Sequence, residues 1–434
     1  MLSLLQRIRI ETEDWLRYHP RVRSAVALYK SWREPKVIPR NPQELTRSIG
    51  RLCTVARLAH SAAEVRSAEQ RILERVATLD PVQVDWSEFV PRINNPVVPR
   101  GVILKPFVGP REPGVIYVAF ELEWMKFLRH APLRDFAQRY TLIVAPTSNP
   151  YNYNNFVFPN AYPAPLYSLI NHQEDVEILR RVSPNYRVVP LFTSHWVNPA
   201  SFHPRPRSER DIDVLMVGLW GKVKRHHVLF RALRAMKPTL RVVLIGQDEG
   251  GRTEATIRRE AGYYGVADRI QIRDNVPHAE VREAFSRAKV SILLSLNEGS
   301  AVVVPESLFA DTPTALLNNA YNGSRNFINE HTGRFLSEKD LAGQLTDFLA
   351  HADLYRPRQW AEANISCFRS SEKLNDILKR DSLADGQEWT RDLFPLCWQP
   401  DVRLVRPEDW KNLQGERAAI KERFRLELGP SQLD

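Results

Sequence analysis

The chain of 434 residues is 43% hydrophobic and 26% charged, with 61 Lys+Arg against 51 Asp+Glu for a formal net charge of +10. That length holds two or three domains with real cores, and the composition excludes a low-complexity or disordered chain. Three widely spaced cysteines, Cys53, Cys367 and Cys397, exclude a disulfide framework and a cysteine zinc site, and no apolar run reaches the ~20 residues that cross a bilayer.

Glu11, Glu13 and Asp14 are mixed into the first apolar positions, unlike a signal peptide, so a soluble cytoplasmic protein is expected. The positive balance favours anionic partners: a nucleotide-sugar, a phospholipid surface, an acidic glycan or nucleic acid. Nucleic acid ranks last, because the basic residues are dispersed and no recognition motif appears.

Within residues 1–90, Leu4, Leu5, Ile8, Trp15 and Leu16, then Val22, Ala25, Val26 and Tyr29, recur at helical spacing among arginines. They predict a helical extension that is net positive, with 15 Lys+Arg against 9 Asp+Glu from Met1 to Asp80. A basic amphipathic helix can lie on an anionic membrane, which would make the protein peripheral at the inner face. The favoured reading is a helical layer packed on the first domain, because acidic residues interrupt the basic face.

Residues 91–200 alternate short apolar strands with helical stretches, as a Rossmann-like domain does. The predicted strands are Val102 to Lys105, Val115 to Phe120, Thr141 to Val144 and Leu166 to Ile170. Between them runs Ser148-Asn149-Pro150-Tyr151-Asn152-Tyr153-Asn154-Asn155-Phe156. Its amides and aromatic faces suit a sugar acceptor, and equally a solvated turn. The polar, proline-bearing Arg205 to Arg210 reads as a linker, which places the domain boundary near residues 200–205.

The second domain, residues 205–380, opens with the strand Val214 to Val217 ending in Gly218, then Lys222, Lys224 and Arg225 and the amphipathic helix His227 to Met236. The strand Arg241 to Gly246, the helix Thr253 to Tyr264, the strand Ile270 to Ile272 and the helix His278 to Ala288 follow. Strands and helices alternating this regularly predict a doubly wound parallel sheet. Pattern alone does not place the tail, residues 381–434 with Trp389, Trp398 and Trp410.

The second domain turns on Val290 to Ala310. An apolar run from Val290 to Leu296 predicts a strand buried on both faces, Gly299 breaks it, and Pro305 fits only the first turn of a helix. Ligands of an open parallel sheet gather at the carboxyl ends of its strands, so Gly299, Ser300, Ala301 and Val302 form a candidate cradle for a diphosphate. Glu298 and Glu306 flank it, each able to accept from adjacent hydroxyls, as the two sugars of a nucleotide-sugar require. Spacing does not choose between this reading and a bland one, in which Glu306 complements the helix dipole and Glu298 is a solvated turn residue.

Glu298, seven residues, Glu306 and then Ser307-Leu308-Phe309-Ala310-Asp311-Thr312-Pro313 resemble the signature of the retaining glycosyltransferases of family 4, with Asp311 where that family has Gly. Val197 to Pro204 resembles that family's interdomain segment, with Asn198 in place of Asp. In order and spacing the resemblance covers about residues 185–350. It implies the GT-B fold, two doubly wound Rossmann-like domains facing a cleft, with a closing helix in the tail that crosses back to the first domain.

The activity implied is transfer of a sugar from a UDP- or GDP-linked donor to a glycan or lipid-linked acceptor with retention at the anomeric carbon, and no cofactor. By the resemblance Glu298 orients the donor sugar, Glu306 holds the ribose and Lys224 meets the diphosphate. Gly218 ends the strand beside them. The family's Arg after that glycine is Leu219 here, so Lys222 is the candidate substitute. Asp211-Ile212-Asp213 matches a cation-binding Asp-x-Asp, but it precedes its strand, so no metal site is assigned. Glu121, His130 and His172 are candidates by type for a first-domain contribution. Two alternatives remain: an epimerase or phosphorylase of the same fold, or an inactive nucleotide-sugar-binding scaffold.

Overall fold

Helices open the chain: α1 (Leu2–Tyr18), α2 (Pro20–Arg33), α3 (Pro42–Leu58) and α4 (Ala62–Thr78). The Asn41 side chain caps α3 by accepting from the Glu44 amide at 3.0 Å, and Ser61 with Glu64 forms a capping box on α4. Leu45, Ile49, Leu52 and Ala56 of α3 are buried at helical spacing, as are Ala68, Ile72 and Val76 of α4. The computed structural model describes residues 2–147, 149–398 and 401–429, so Ser148 and the last residues of the tail lie outside the described residues.

The chain divides into two compact units, Met1–Tyr18 with Val197–Ser366, and His19–Trp196 with Cys367–Asp434. The second of these contains a five-stranded sheet of β1 (Gly101–Lys105), β2 (Gly114–Ala119), β3 (Tyr140–Ala145), β4 (Leu166–Ile170) and β5 (Tyr186–Phe192), paired in that order. The β1 edge pair is antiparallel and the rest are parallel. Each crossover steps the same way across the sheet. Right-handed crossovers therefore put their helices, α5 (Glu121–His130), α6 (Asn154–Ala161) and α7 (Asp175–Val182), on one face. This sheet is simpler than a doubly wound one, because its strand order never reverses.

The helices α2 to α4 belong to this unit. Glu69 of α4 receives the Tyr151 hydroxyl at 2.7 Å and Arg181 at 2.6 Å. The amide-rich loop is neither solvated nor laid open: Asn155 donates to the Pro150 carbonyl at 3.2 Å, and Tyr153 stacks on Trp86 with planes 3° apart. Tyr151 and Tyr153 fix the loop to the helical layer, while Asn154 Oδ1 and Asn155 Oδ1 are buried without a hydrogen-bond partner among the described residues. The tail returns to the same unit, where Val97–Val98 pairs in parallel with Glu427–Leu428.

The other unit contains a six-stranded parallel sheet: β6 (Ile212–Val217), β7 (Val242–Gly246), β8 (Ile270–Asp274), β9 (Ala288–Leu293), β10 (Thr314–Leu317) and β11 (Gly333–Leu336). The spatial order is β11-β10-β9-β6-β7-β8. From β6 the chain builds outward through β7 and β8, then returns to add β9, β10 and β11 on the other side. The order reverses between β6 and β9, which makes their carboxyl ends a topological switch point. Connecting helices include α8 (His226–Leu233), α9 (Glu254–Tyr263), α10 (His278–Arg287) and α11 (Val303–Phe309).

One placement differs from the sequence reading. α1 packs with the six-stranded unit, not on the first sheet with α2 to α4. The reason is charge: Glu11, Glu13 and Asp14 form an acidic face, and Arg231, Lys222 and Arg225 receive it. No helix among the described residues is long and apolar enough to cross a membrane.

Candidate functional site

Two loops meet at the switch point. The loop after β6 carries Gly218, where a Cβ would lie only 3.3 Å from Cδ of Lys224, so the lysine stem lies closely over the glycine. Lys222–Lys224 then form one tight turn that ends at Arg225, in the left-handed region with φ 55°. That conformation is strained for a residue with a side chain. Arg225 is held there by its guanidinium, 3% exposed, which donates to Asp14 at 3.0 Å through Nε and 2.6 Å through Nη2, and to Glu338 at 3.0 Å.

The loop after β9 carries Asn297–Glu298, a two-residue strand paired in parallel with Tyr321–Asn322. The Tyr321 amide donates to the Leu296 carbonyl at 2.8 Å, the Gly323 amide to Gly299 at 2.8 Å, and the Ser324 hydroxyl to Ala301 at 3.1 Å. These bonds engage the carbonyl side of the turn from Gly299 to Val302 and fix its path into α11. Pro305 occupies the third position of that helix, where an N–H has no intrahelical partner to lose.

The two loops join through one ion pair: Lys224 Nζ donates to Glu298 Oε1, with both side chains mostly buried. The lysine and glutamate singled out in the sequence, 74 residues apart, are thus partners at the carboxyl ends of adjacent strands. Lys222 goes elsewhere, to Glu13 of α1 at 2.5 Å. Glu306 is buried, and burial pushes its carboxyl above the ordinary range, partly offset by His278 and Arg282. His278 Nε2 lies 2.8 Å from Glu306 Oε1, and Arg282 donates to His278 Nδ1 at 3.0 Å. Arginine only donates, so the ring proton sits on Nε2 and is given to Glu306.

The segment 198–364 matches the family described as glycosyl transferases group 1. That segment resembles a group 1 glycosyl transferase domain, and the fold is GT-B. A search of curated proteins returned no match. Among solved structures, Anabaena HepE with UDP and glucose is 11% identical with a TM-score of 0.50, over 80% of this chain and 98% of that one. Sucrose-phosphate synthase from Thermosynechococcus elongatus is 16% identical with a TM-score of 0.49, over 75% and 82%. At these identities the likeness is one of fold.

Within the matched segment, Asp211 and Asp213 lie at the amino-terminal end of β6. Asp211 is bound by Arg287, which holds its carboxyl down at about 2, and Asp213 by Lys289 at 2.7 Å. Asn198, where the family has Asp, caps its own turn by accepting from the Ala200 amide at 3.0 Å. Asp311 adopts φ 58°, the left-handed backbone that the family's Gly supplies without cost. Its carboxylate accepts from Arg207 and from the Arg358 amide, each at 3.3 Å, which offsets the strain.

In the other unit, Glu121 is buried at the carboxyl end of β2 and accepts from the Thr147 amide at 3.1 Å and hydroxyl at 2.9 Å. Burial raises its pKa, against these hydrogen bonds. His172 is buried after β4, its amide donating to Asp175 at 3.1 Å. His130 lies with Nε2 2.7 Å from the Ile93 carbonyl, at the far end of α5. Asp14, His278 and Arg282 are the residues that sequence reasoning missed, and Arg225, read there as one of three basic residues in a turn, instead anchors that turn to Asp14 and Glu338. Asp14 and His278 act through partners distant in sequence, and Arg282 acts only through His278, one turn away on the same helix.

Proposed function

We propose that the protein transfers a sugar from a UDP- or GDP-linked donor to a glycan or lipid-linked acceptor, with retention of anomeric configuration. The observation that carries this reading is the Lys224–Glu298 pair at the switch point of a domain that matches the glycosyl transferases group 1 family. Donor binding is then an exchange of partners. Lys224 turns from Glu298 to the diphosphate, and Glu298 turns to hydroxyls of the donor sugar. Glu306, held by His278, takes the ribose, and Gly299 to Val302 lie along the diphosphate.

In the reaction the bond from the anomeric carbon to the diphosphate breaks, the departing phosphate oxygen takes the proton of the acceptor hydroxyl, and the acceptor oxygen bonds to the same face of the sugar. Charge that develops on the diphosphate is neutralised by Lys224 and backbone amides, so no metal is required. That HepE, similar in fold, binds UDP and glucose supports a UDP-linked donor as the first to try.

A thermal-shift panel of UDP, GDP, ADP and their sugars tests the donor, because a ligand that binds the folded state raises the melting temperature. Transfer to an acceptor panel follows, with the product's anomeric configuration read by proton NMR. Product of inverted configuration overturns retention, and turnover without transfer favours an epimerase or phosphorylase.

A further inference from the structure

Within the six-stranded unit, α1 and the turn that ends at Arg225 bound a cavity of about 40 Å³. Three carboxylates line it, and all are taken: Glu13 by Arg9 at 3.0 Å and Lys222 at 2.5 Å, Asp14 by Arg225 at 2.6 Å, and Glu260 by both arms of Arg252 at 2.6 and 2.8 Å. The donors are not. Arg225 Nη1 and both ring nitrogens of His226 are buried without a hydrogen-bond partner among the described residues, on side chains only 3% and 2% exposed. Arg17, which also lines the cavity, is exposed and makes no ion pair with a described residue.

Leaving a buried polar group unpaired is costly, so orphans on two neighbouring side chains of one cavity call for a partner inside it. Burial lowers the His226 pKa to about 3, with Arg252, His227 and Lys224 acting in the same direction, so the ring is neutral and offers one donor and one acceptor. Arg17, Lys222, Arg225 and Arg252 face the three carboxylates, which leaves one positive charge over. A small anion with several acceptor oxygens and one proton to give meets all of these groups. We propose that the cavity binds inorganic phosphate, whose oxygens accept from Arg225 Nη1, Arg17 and one His226 nitrogen while its hydroxyl donates to the other.

Size and position agree with a free ion. The space is several times the ~10–15 Å³ that one water requires, and far below the ~300 Å³ at which pockets begin to take organic ligands such as a nucleoside. Neither Lys224 nor Glu298 lines it, so the phosphate site is separate from the proposed donor site. Arg225 joins the two: it follows Lys224 in the chain and holds α1 through Asp14, so a phosphate on Arg225 braces the turn that carries Lys224.

The test is calorimetric titration of sodium phosphate into the full chain, in chloride buffer of fixed ionic strength at pH 7. Wild type and Lys224→Ala should each bind one phosphate saturably. R17Q should bind it roughly three- to tenfold more weakly, and H226L, which removes both ring nitrogens, at least about tenfold more weakly. Sulfate has no proton to give and should bind the wild type at least about threefold more weakly than phosphate does. Melting temperatures are measured beside these titrations, and R17Q, changed at an exposed position, carries the test alone if H226L melts early. No saturable binding by the wild type, affinity in R17Q equal to that of the wild type, or equal affinity for sulfate overturns the inference. So does a loss confined to Lys224→Ala, which would put the phosphate at the donor site.

Discussion

Asp14→Ala should loosen α1 and the strained turn before α8 together. The Arg225 guanidinium loses two charge-assisted bonds, at 3.0 and 2.6 Å, while keeping Glu338 at 3.0 Å. Breaking a buried pair from one side costs about 3–5 kcal/mol, and the retained Glu338 contact lowers that to about 2 kcal/mol. For a unit of this size each kcal/mol moves the melting temperature by roughly 2–4 °C, so a fall of about 4–8 °C is expected by calorimetry at pH 7. The effect depends on pH with a definite sign. Burial works against the Asp14 carboxylate, but hydrogen bonds from His227 and Arg225 hold it well below its ordinary value of 3.8. A depressed folded-state pKa contributes stability that is present above 3.8 and fades as the pH falls toward the folded value, so wild type and variant should converge in acid. A variant that melts within 1 °C of the wild type at pH 7, a bound of about half a kcal/mol, refutes the claim that α1 braces this turn.

Glu298→Gln should lower single-turnover transfer by roughly 10²–10³ with nucleoside diphosphate affinity unchanged or tighter, because the amide keeps the shape and releases Lys224 from its ion pair. Transfer at the parent rate would make the turn structural. Glu306→Ala and His278→Ala should act in the same direction, raising the donor KM more than they lower kcat, since a ribose contact is made alike in ground and transition states. Steady-state kinetics at saturating acceptor reads both, and a fall in kcat alone for either contradicts the ribose role.

The strands were legible because β1 to β4 and β6 to β9 are apolar runs bounded by glycines and polar turns, and buried strands need little else. Glu298 and Lys224 were singled out by the family resemblance, and their meeting has a topological reason: both lie just past strand ends that the reversal of strand order brings side by side. Asp311, standing where the resembled family has Gly, takes the left-handed backbone that glycine supplies there. The docking of α1 was not legible, because Asp14 and Arg225 are 211 residues apart and periodicity reports a helix's faces without saying which turns inward. In most helices the apolar face does. The packing of the amide-rich loop was not legible for a related reason, since Glu69 and Trp86, which engage Tyr151 and Tyr153, lie in a segment whose place in space the sequence leaves open. His278 gave no signal, because its meeting with Glu306 depends on how α10 packs against α11.

The most direct test of the central claim, that Lys224 and Glu298 mark a nucleotide-sugar diphosphate site, is calorimetric titration of UDP and GDP into the wild type and Lys224→Ala. Saturable binding of at least one by the wild type is predicted, with affinity falling at least about tenfold in the variant as the lysine–phosphate contact is lost. No binding of either nucleotide by the folded wild type, or equal affinity in the variant, would contradict it.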